Sequence, residues 1–258
     1  MSRDPLLDVA VRAARAAGDL LLARAGAEAT GLAAKSSRTD LVSDADRAAE
    51  EAILDVLRAE RPGDAVEAEE GGAAAGTTGV RWVVDPLDGT INYLWGIPHW
   101  CVSVAALDAG GARAGVVHDP CRDETFSAAR GAGAALGDRP LRLGPGPPLP
   151  EALVATGFNY RAEERARQAE RLRRVLPAVR DVRRMGAAAL DLAWLAAGRY
   201  DAYFETGLNP WDWAAGALIV REAGGDVAER ASAPGRPPLV AAARPGLLAA
   251  VLDLVSGA

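Results

Sequence analysis

The sequence predicts an α/β protein in two unlike halves, an α+β half over residues 1–145 and an α/β half over residues 146–258. Three observations carry this reading. Apolar residues recur at helical spacing up to residue 60, then fall into short β-rich runs from residue 81 onward. The run Gly144-Pro145-Gly146-Pro147-Pro148-Leu149-Pro150 is too dense in Pro and Gly for helix or sheet interior, so it marks the boundary. Beyond it, strand-like and helix-like segments alternate, which implies a parallel or mixed sheet covered on both faces.

The elements follow in order. Residues 4–26 form a predicted helix, with Leu6, Leu7, Ala10, Val11, Ala14, Ala17, Gly18 and Leu21 at its spacing. Residues 45–60 form a second; Ala45, Ala49, Ala52, Ile53, Val56 and Leu57 share a face, and Pro62-Gly63 stops it. A polar segment, 35–46, lies between them. Segments 81–84, 101–107, 112–118 and 125–128 are separated by turn residues and predict an antiparallel meander. The Ala/Gly/Thr stretch 71–79 is a predicted loop. In the second half, strands are expected at 153–155, 181–183, 201–204 and 239–242. Helices are expected at 162–176, 187–197, 211–223 and 245–255, with Gly198 and Gly224-Gly225 closing two of them. No internal repeat is present.

Composition narrows the function. Half of the 258 residues are hydrophobic and a quarter are charged, an ordinary globular balance. A net charge of -6 and a pI of about 5.1 make a poor non-specific binder of nucleic acid or anionic membrane. Such a chain can still take a phosphate where a metal supplies local positive charge. No signal-peptide pattern follows Met1, and no run of about 18 apolar residues is long enough to span a membrane, so the expected compartment is the cytoplasm. Two cysteines, Cys101 and Cys121, do not make a disulfide framework and are expected to be buried thiols. Lys35 is the single lysine among 29 basic residues in a chain rich in Ala, Gly and Arg.

The segment Arg81-Trp82-Val83-Val84-Asp85-Pro86-Leu87-Asp88-Gly89-Thr90 concentrates the chemistry. Trp82-Val83-Val84 predicts a buried strand, and Asp85-Pro86 is expected to end it because a residue before proline is held extended. Asp88-Gly89-Thr90 then opens a helical turn, capped by Asp88 or its neighbour. The Asp85 and Asp88 carboxylates converge, and the backbone amides of Gly89 and Thr90 suit an anionic oxygen. Carboxylates this close repel unless one takes a proton or a cation binds between them. Hard oxygen donors without imidazole or thiolate favour Mg²⁺, Mn²⁺ or Ca²⁺.

Each acidic feature also has a plain structural alternative. Asp85 and Asp88 could be a turn acid beside a helix cap. Glu69-Glu70-Gly71-Gly72 could be a surface acidic loop. Asp212 in Trp211-Asp212-Trp213 could be a simple N-cap, and Lys35 to Asp46 a polar loop capping the next helix. His99 and His118 read as structural.

These motifs together resemble the inositol monophosphatase family. Asp85-Pro86-Leu87-Asp88-Gly89-Thr90-Ile91-Asn92-Tyr93 is similar to the family's first signature, Asp-Pro-[Ile/Leu]-Asp-Gly-Thr-x-Asn-[Phe/Tyr]. Trp211-Asp212-Trp213-Ala214-Ala215-Gly216, running to Glu222-Ala223-Gly224-Gly225, resembles the second. Lys35, Asp40-Leu41-Val42-Ser43 and Asp46 match Lys-x(4)-Asp-Leu-Val-[Thr/Ser]-x-x-Asp, and Glu69-Glu70 falls where that family has its Gly-Glu-Glu loop.

The resemblance implies a layered αβαβα sandwich of the sugar-phosphatase type, a homodimer, two or three Mg²⁺ ions with Mn²⁺ as a substitute, and inhibition by Li⁺. Carried over by motif, Glu69, Asp85 and the Leu87 carbonyl hold one metal, and Asp85, Asp88 and Asp212 a second. Glu69 also faces a third, weaker one. Asp46 and Thr90 orient the attacking water, and the Gly89 and Thr90 amides receive the phosphate. Lys35 lies near the metal and phosphate.

Asp88, Ala188, Glu205 and Asp212 complete the substrate side. There the chain departs from the family: in Arg184-Met185-Gly186-Ala187-Ala188-Ala189, Ala187 lacks the hydroxyl of the family's Gly-[Thr/Ser]-Ala-Ala, and the Arg183-Arg184 pair looks like bacterial members. The implied reaction is Mg²⁺-dependent hydrolysis of a small-molecule phosphate monoester, foremost myo-inositol monophosphate. The alternatives are histidinol phosphate, fructose 1,6-bisphosphate or 3′-phosphoadenosine 5′-phosphate, or a regulatory role in RNA-processing or transcription complexes. No direct nucleic-acid or membrane partner is expected.

Overall fold

The computed structural model describes residues 4–26, 33–34, 41–231 and 238–256. In chain order the elements are α1 (Pro5–Arg24), β1 (Ala33–Ala34), β2 (Leu41–Val42), α2 (Asp44–Glu60), β3 (Ala65–Ala68), β4 (Ala73–Ala74), β5 (Arg81–Asp88), α3 (Thr90–Leu94), β6 (Cys101–Asp108), β7 (Gly111–Asp119), β8 (Glu124–Ala129), β9 (Gly133–Leu136) and β10 (Arg139–Leu141). Then come β11 (Leu153–Thr156), α4 (Ala162–Val175), β12 (Asp181–Arg183), α5 (Ala188–Ala196), β13 (Ala202–Thr206), α6 (Pro210–Glu222), β14 (Asp226–Arg230), β15 (Leu239–Ala243) and α7 (Leu248–Ser256).

Apart from the β1–β2 pair, the strands make two sheets. The larger has the order β10-β9-β8-β7-β6-β5-β3-β4 and the smaller β12-β11-β13-β15-β14. From β5 to β10 each strand pairs antiparallel with the next, as the meander reading expects; only β3 and β5 pair parallel. The smaller sheet is mixed, with β11 parallel to both β12 and β13, and β15 antiparallel to β13 and β14.

Side-chain alternation turns these sheets into layers. On β6, Val102, Val104 and Ala106 join a core with α1 and α2, while Cys101 and Ala105 face α5 and α6. On β13, Tyr203 faces α5 and α6, while Ala202 and Phe204 join a third core with α7. The order is therefore helices, sheet, helices, sheet, helices. The central helices are covered on both sides, which explains their composition: α6 is buried continuously from Ala214 to Val220, and α5 except at Trp194.

Seven strands, 33–34, 41–42, 65–68, 73–74, 133–136, 139–141 and 226–230, fall outside the sequence expectation. All but the last are four residues or fewer, and most of these are rich in Ala or Gly or contain Pro, and so carry little β signal. Pro140 is tolerated because β10 is an edge strand. Two local expectations also fail. The strand does not end at Asp85-Pro86 but runs to Asp88. Cys101 is buried as expected, whereas Cys121 is only half-buried.

Candidate active site

β5 carries two of the acids. Asp85 and Asp88 are three residues apart, a spacing that would aim them to opposite faces of a regular strand. The β5–β6 register shifts between them: Asp85 pairs with Ser103 and Asp88 with Cys101, so β5 spends three residues where β6 spends two. This one-residue bulge turns both carboxylates to the same side. Pro86 supplies no amide donor to the ladder at the irregularity, and Asp85 Oδ1 accepts the Leu87 amide at 3.0 Å.

Glu69 arrives from the neighbouring strand. β3 pairs parallel with β5, Ala68 opposite Val84, and the Glu69 amide continues the ladder to the Val84 carbonyl at 3.1 Å. The next side chain beyond that pair on each strand is an acid, and the Glu69 and Asp85 carboxyls stand in hydrogen-bonding contact. The loop after Glu69 is held by Glu50 of α2, whose carboxylate accepts the amides of Glu70 and Gly72 at 2.8 and 2.9 Å. Glu50 is a positioning residue that the sequence reading passed over; its place on a helix face disguised it.

Asp212 sits in the first turn of α6. Its Oδ2 accepts the Asn209 amide at 2.7 Å, which leaves Oδ1 for the cleft. The Trp211 carbonyl accepts from Ser103 Oγ at 3.0 Å, pinning the helix start to β6. Asp212 is thus not the N-cap of the structural alternative, a place that Asn209 takes, but the third-position acid of its capping box, and it is a cleft acid as well.

Of Asp88 and its neighbour, it is the neighbour that stands at the cap of the turn after it. The α3 N-cap is Gly89, in the left-handed region at φ 93°, with no side-chain cap. Asp88 caps a different helix: its Oδ2 accepts the Ala189 amide at 2.7 Å, in the first turn of α5, and the Ala188 amide also contributes. Ala187, the N-cap of α5, offers no side-chain oxygen, so an acid 101 residues upstream of Ala189 does that work.

Thr90 and Asp46 are brought together across 44 residues. Thr90 Oγ1 lies 3.1 Å from Asp46 Oδ1 and 3.0 Å from the Leu87 carbonyl. Asp46 Oδ2 accepts the Ser43 amide and hydroxyl at 2.8 and 2.5 Å, in the capping box of α2. Asp46 is fully buried behind Thr90 and does not reach the cleft itself.

The cleft these groups share holds about 230 Å³. Glu69, Asp85, Leu87, Asp88, Gly89, Thr90 and Asp212 line it, as do Ala188 and Glu205. Residues 157–161, Arg184 and Gly186 complete much of the lining, with the Glu205 carboxylate packed against Gly157. The 157–161 loop was missed, although it follows β11 at the C-terminal end of a parallel strand, where open α/β sheets bind their ligands. Neither histidine lines the cleft. Lys35 and Asp40 lie outside the described residues.

The electrostatics follow from burial and repulsion. Burial first, then Glu69, Asp88 and Asp212, raise Asp85 well above the ordinary carboxylate range. Burial and Glu69 raise Asp212 likewise. Burial lifts Asp88 to about 7 against the Ala189 amide, which pulls it down. Burial also lifts Glu205 to about 7, opposed by the Tyr203 hydroxyl at 2.7 Å and by Arg184. All are hard oxygen donors that gain from a cation between them, so the donor set fits a divalent ion in kind. It is not a closed cage: among the described residues, no three His, Cys, Asp or Glu side chains are arranged to hold a metal as they stand.

A family model described as the inositol monophosphatase family matches residues 2–253. The chain belongs to this family. Among its inositol monophosphatase-family relatives is the Nus factor SuhB of Xylella fastidiosa, 45% identical over 226 residues, which cover 87% of this chain and 82% of that one. The solved extragenic suppressor protein suhB of Bartonella henselae is similar in fold, with a TM-score of 0.90 at 36% identity over 98% of each chain. The Thermotoga maritima IMPase superposes with a TM-score of 0.86 at 30% identity, over 98% of this chain and 97% of that one. The αβαβα layering is therefore that of the inositol monophosphatase and SuhB sugar-phosphatase folds. Family membership supports phosphate monoester hydrolysis as the chemistry of the cleft. Among the described residues, no helix is long and apolar enough to cross a membrane.

Proposed function

We propose that the cleft hydrolyses the phosphate monoester of a small polyol, foremost myo-inositol monophosphate to inositol and phosphate. One observation carries the reading: acids from three separate elements, Glu69, Asp85 with Asp88, and Asp212, line one small cleft beside the Gly89–Thr90 turn. A cleft of about 230 Å³ is below the ~300–1,000 Å³ of pockets for drug-sized ligands and suits a sugar-sized molecule.

Glu69, Asp85 and the Leu87 carbonyl would hold one Mg²⁺, and Asp85, Asp88 and Asp212 a second; Mn²⁺ has the same preference for oxygen. Bound there, the ions neutralise phosphate charge and lower the pKa of water. The chain's own groups do the rest. The Thr90 hydroxyl donates its hydrogen bond to Asp46 or to the Leu87 carbonyl, so the Thr90 oxygen presents its lone pairs to a water and orients it toward phosphorus. The Gly89 and Thr90 amides receive phosphate oxygens. Glu205, Ala188 and Asp212 meet the substrate's hydroxyls. Water oxygen bonds to phosphorus, the ester P–O bond breaks, and the proton that the water gives up ends on the departing alcohol oxygen.

Phosphate release from inositol 1-phosphate should require Mg²⁺, stop in EDTA, and fall about 10²–10³-fold in Asp88→Asn, the scale of losing one group that stabilises the transition state. Full activity in EDTA would overturn the reading. A panel with histidinol phosphate, fructose 1,6-bisphosphate and 3′-phosphoadenosine 5′-phosphate ranks the alternatives.

A second reading rests on the relatives named Nus factor SuhB. A role in transcription or RNA-processing complexes is tested by pull-down with the Asp88→Asn protein. Capture of transcription factors supports that role, and a clean negative removes it.

A further inference from the structure

Most arginines of this chain are spoken for. Arg12 pairs with Glu60, Arg61 with Asp64, Arg130 with Asp108 and Arg199 with Glu124. Arg183 pairs with Asp181 at 2.6 Å. Its neighbour Arg184 does not follow. The Arg184 guanidinium lines the cleft, lies over the Phe158 ring at 5.8 Å, and sits against Gly186, where a β-carbon would stand 2.5 Å from Nη1. No hydrogen bond or ion pair ties it to any described residue.

A second guanidinium lines the same cleft. Arg161 is largely exposed, and among the described residues its ion-pair partner is Glu163, 4.0 Å away. The loop that carries it is braced. The Asn159 amide donates to Gln168 Oε1 at 2.9 Å, and Arg165 donates to the Asn159 and Tyr160 carbonyls at 3.2 and 2.7 Å. The cleft is polar along its length. Asp85, Asp88 and Asp212 act on one another and on Glu69, Glu205 acts on Asp88 and Asp212, and Arg184 acts on Glu205.

We propose that Arg184, with Arg161 at the rim, forms a subsite for a second oxyanion, so that of two polyol phosphates otherwise alike the cleft prefers the one with a further phosphate or carboxylate besides the phosphate that is hydrolysed. This deepens, and rests on, the phosphatase reading. The chemistry is that of the guanidinium. Its planar fork of donors matches phosphate or carboxylate in a bidentate, charge-assisted way that a neutral hydroxyl does not reproduce. Stacking on Phe158 holds the plane of that fork. The five acids of the lining would repel a second anion, so Arg184 and Arg161, the cationic side chains of that lining, are the groups that can accept it.

The test uses matched pairs with Mg²⁺: fructose 1-phosphate against fructose 1,6-bisphosphate for a second phosphate, and glucitol 6-phosphate against gluconate 6-phosphate for a carboxylate. The expected result is a kcat/KM about 10-fold or more higher for the member with two anionic groups in at least one pair, carried mainly by KM. The pair that shows it identifies the oxyanion. In Arg184→Gln that ratio collapses to near unity, and Arg184→Lys retains part of it. A ratio near unity in the parent protein, or Arg184→Gln lowering both members of each pair equally, overturns the subsite. Thermal shift separates the two readings and does not need turnover. If no probe is hydrolysed, the phosphatase reading fails. The subsite then stands only if fructose 1,6-bisphosphate raises Tm more than fructose 1-phosphate in the parent and not in Arg184→Gln; equal shifts remove it.

Discussion

Asp88 is an acid with three simultaneous environments. It faces Glu69 and Glu205, it receives the α5 amides, and Cys101 Sγ lies 3.7 Å from its Oδ2. Burial wins over the amides, so its proton is held up to about 7, well above the ordinary 3.8. A carboxyl raised on folding contributes stability that is complete below its unfolded value and is lost as pH rises through its folded value. His99 and His118 are depressed by burial and work in the opposite sense, but both are largely neutral in either state above about pH 7.5. From about pH 7.5 to about pH 8.5, the Tm of EDTA-treated protein should therefore fall, and Asp88→Asn should flatten the slope. Added Mg²⁺ should recover more Tm at about pH 8.5 than at about pH 7.5, because a proton no longer competes for the carboxylates. A Tm that climbs across this window contradicts the assignment. Thr90 gives the second residue-scale prediction. Thr90→Ala should lower kcat by about 10²-fold or more, as loss of a proton-positioning group does, while Thr90→Ser keeps the hydroxyl and most of the rate. The acids themselves were legible in the sequence. Their partners were not, because hydrogen bonds across 44 and 101 residues leave no trace in local spacing.

At the scale of elements, the bulge in β5 and the cap of α5 are the informative features. Asp85-Pro86 reads locally as a strand end, yet pairing with β6 carries the strand on to Asp88. An isolated segment cannot report how many residues its partner spends beside it. The α5 start shows the same limit. Ala187 is a poor N-cap by composition, and the deficit is met by Asp88 from another strand. Ala187→Ser should add a cap for the Leu190 amide, stabilising by about 1 kcal/mol, read as a rise of about 2–4 °C in Tm. An unchanged Tm would mean that Asp88 already satisfies the first turn. Helices with a one-sided apolar stripe, α1 and α2, were readable to within a residue or two at each end. The Ala- and Gly-rich strands of the large sheet were not, since alanine carries no strand signal and only the neighbouring strands recruit those residues.

For the whole molecule, the central helical layer matters most. α5 and α6 touch both sheets, so one side chain there supports two cores. Leu192→Ala should cost about 2–5 kcal/mol, measurable by denaturant unfolding, because nothing around a residue covered on both sides can collapse into the gap. A loss below about 1 kcal/mol would show that the layer is looser than its burial implies. The sequence by itself determined the element types, the alternation that forces a covered sheet, and the acids, since these depend on periodicity and residue chemistry along the chain. Tertiary structure alone decided that Asp85 and Asp88 share a face, that Asp88 caps α5, that Asp46 stands behind Thr90, and that Arg184 meets the cleft over the Phe158 ring, with no hydrogen bond to the described residues. Each of those depends on register and layer packing between residues far apart in the chain.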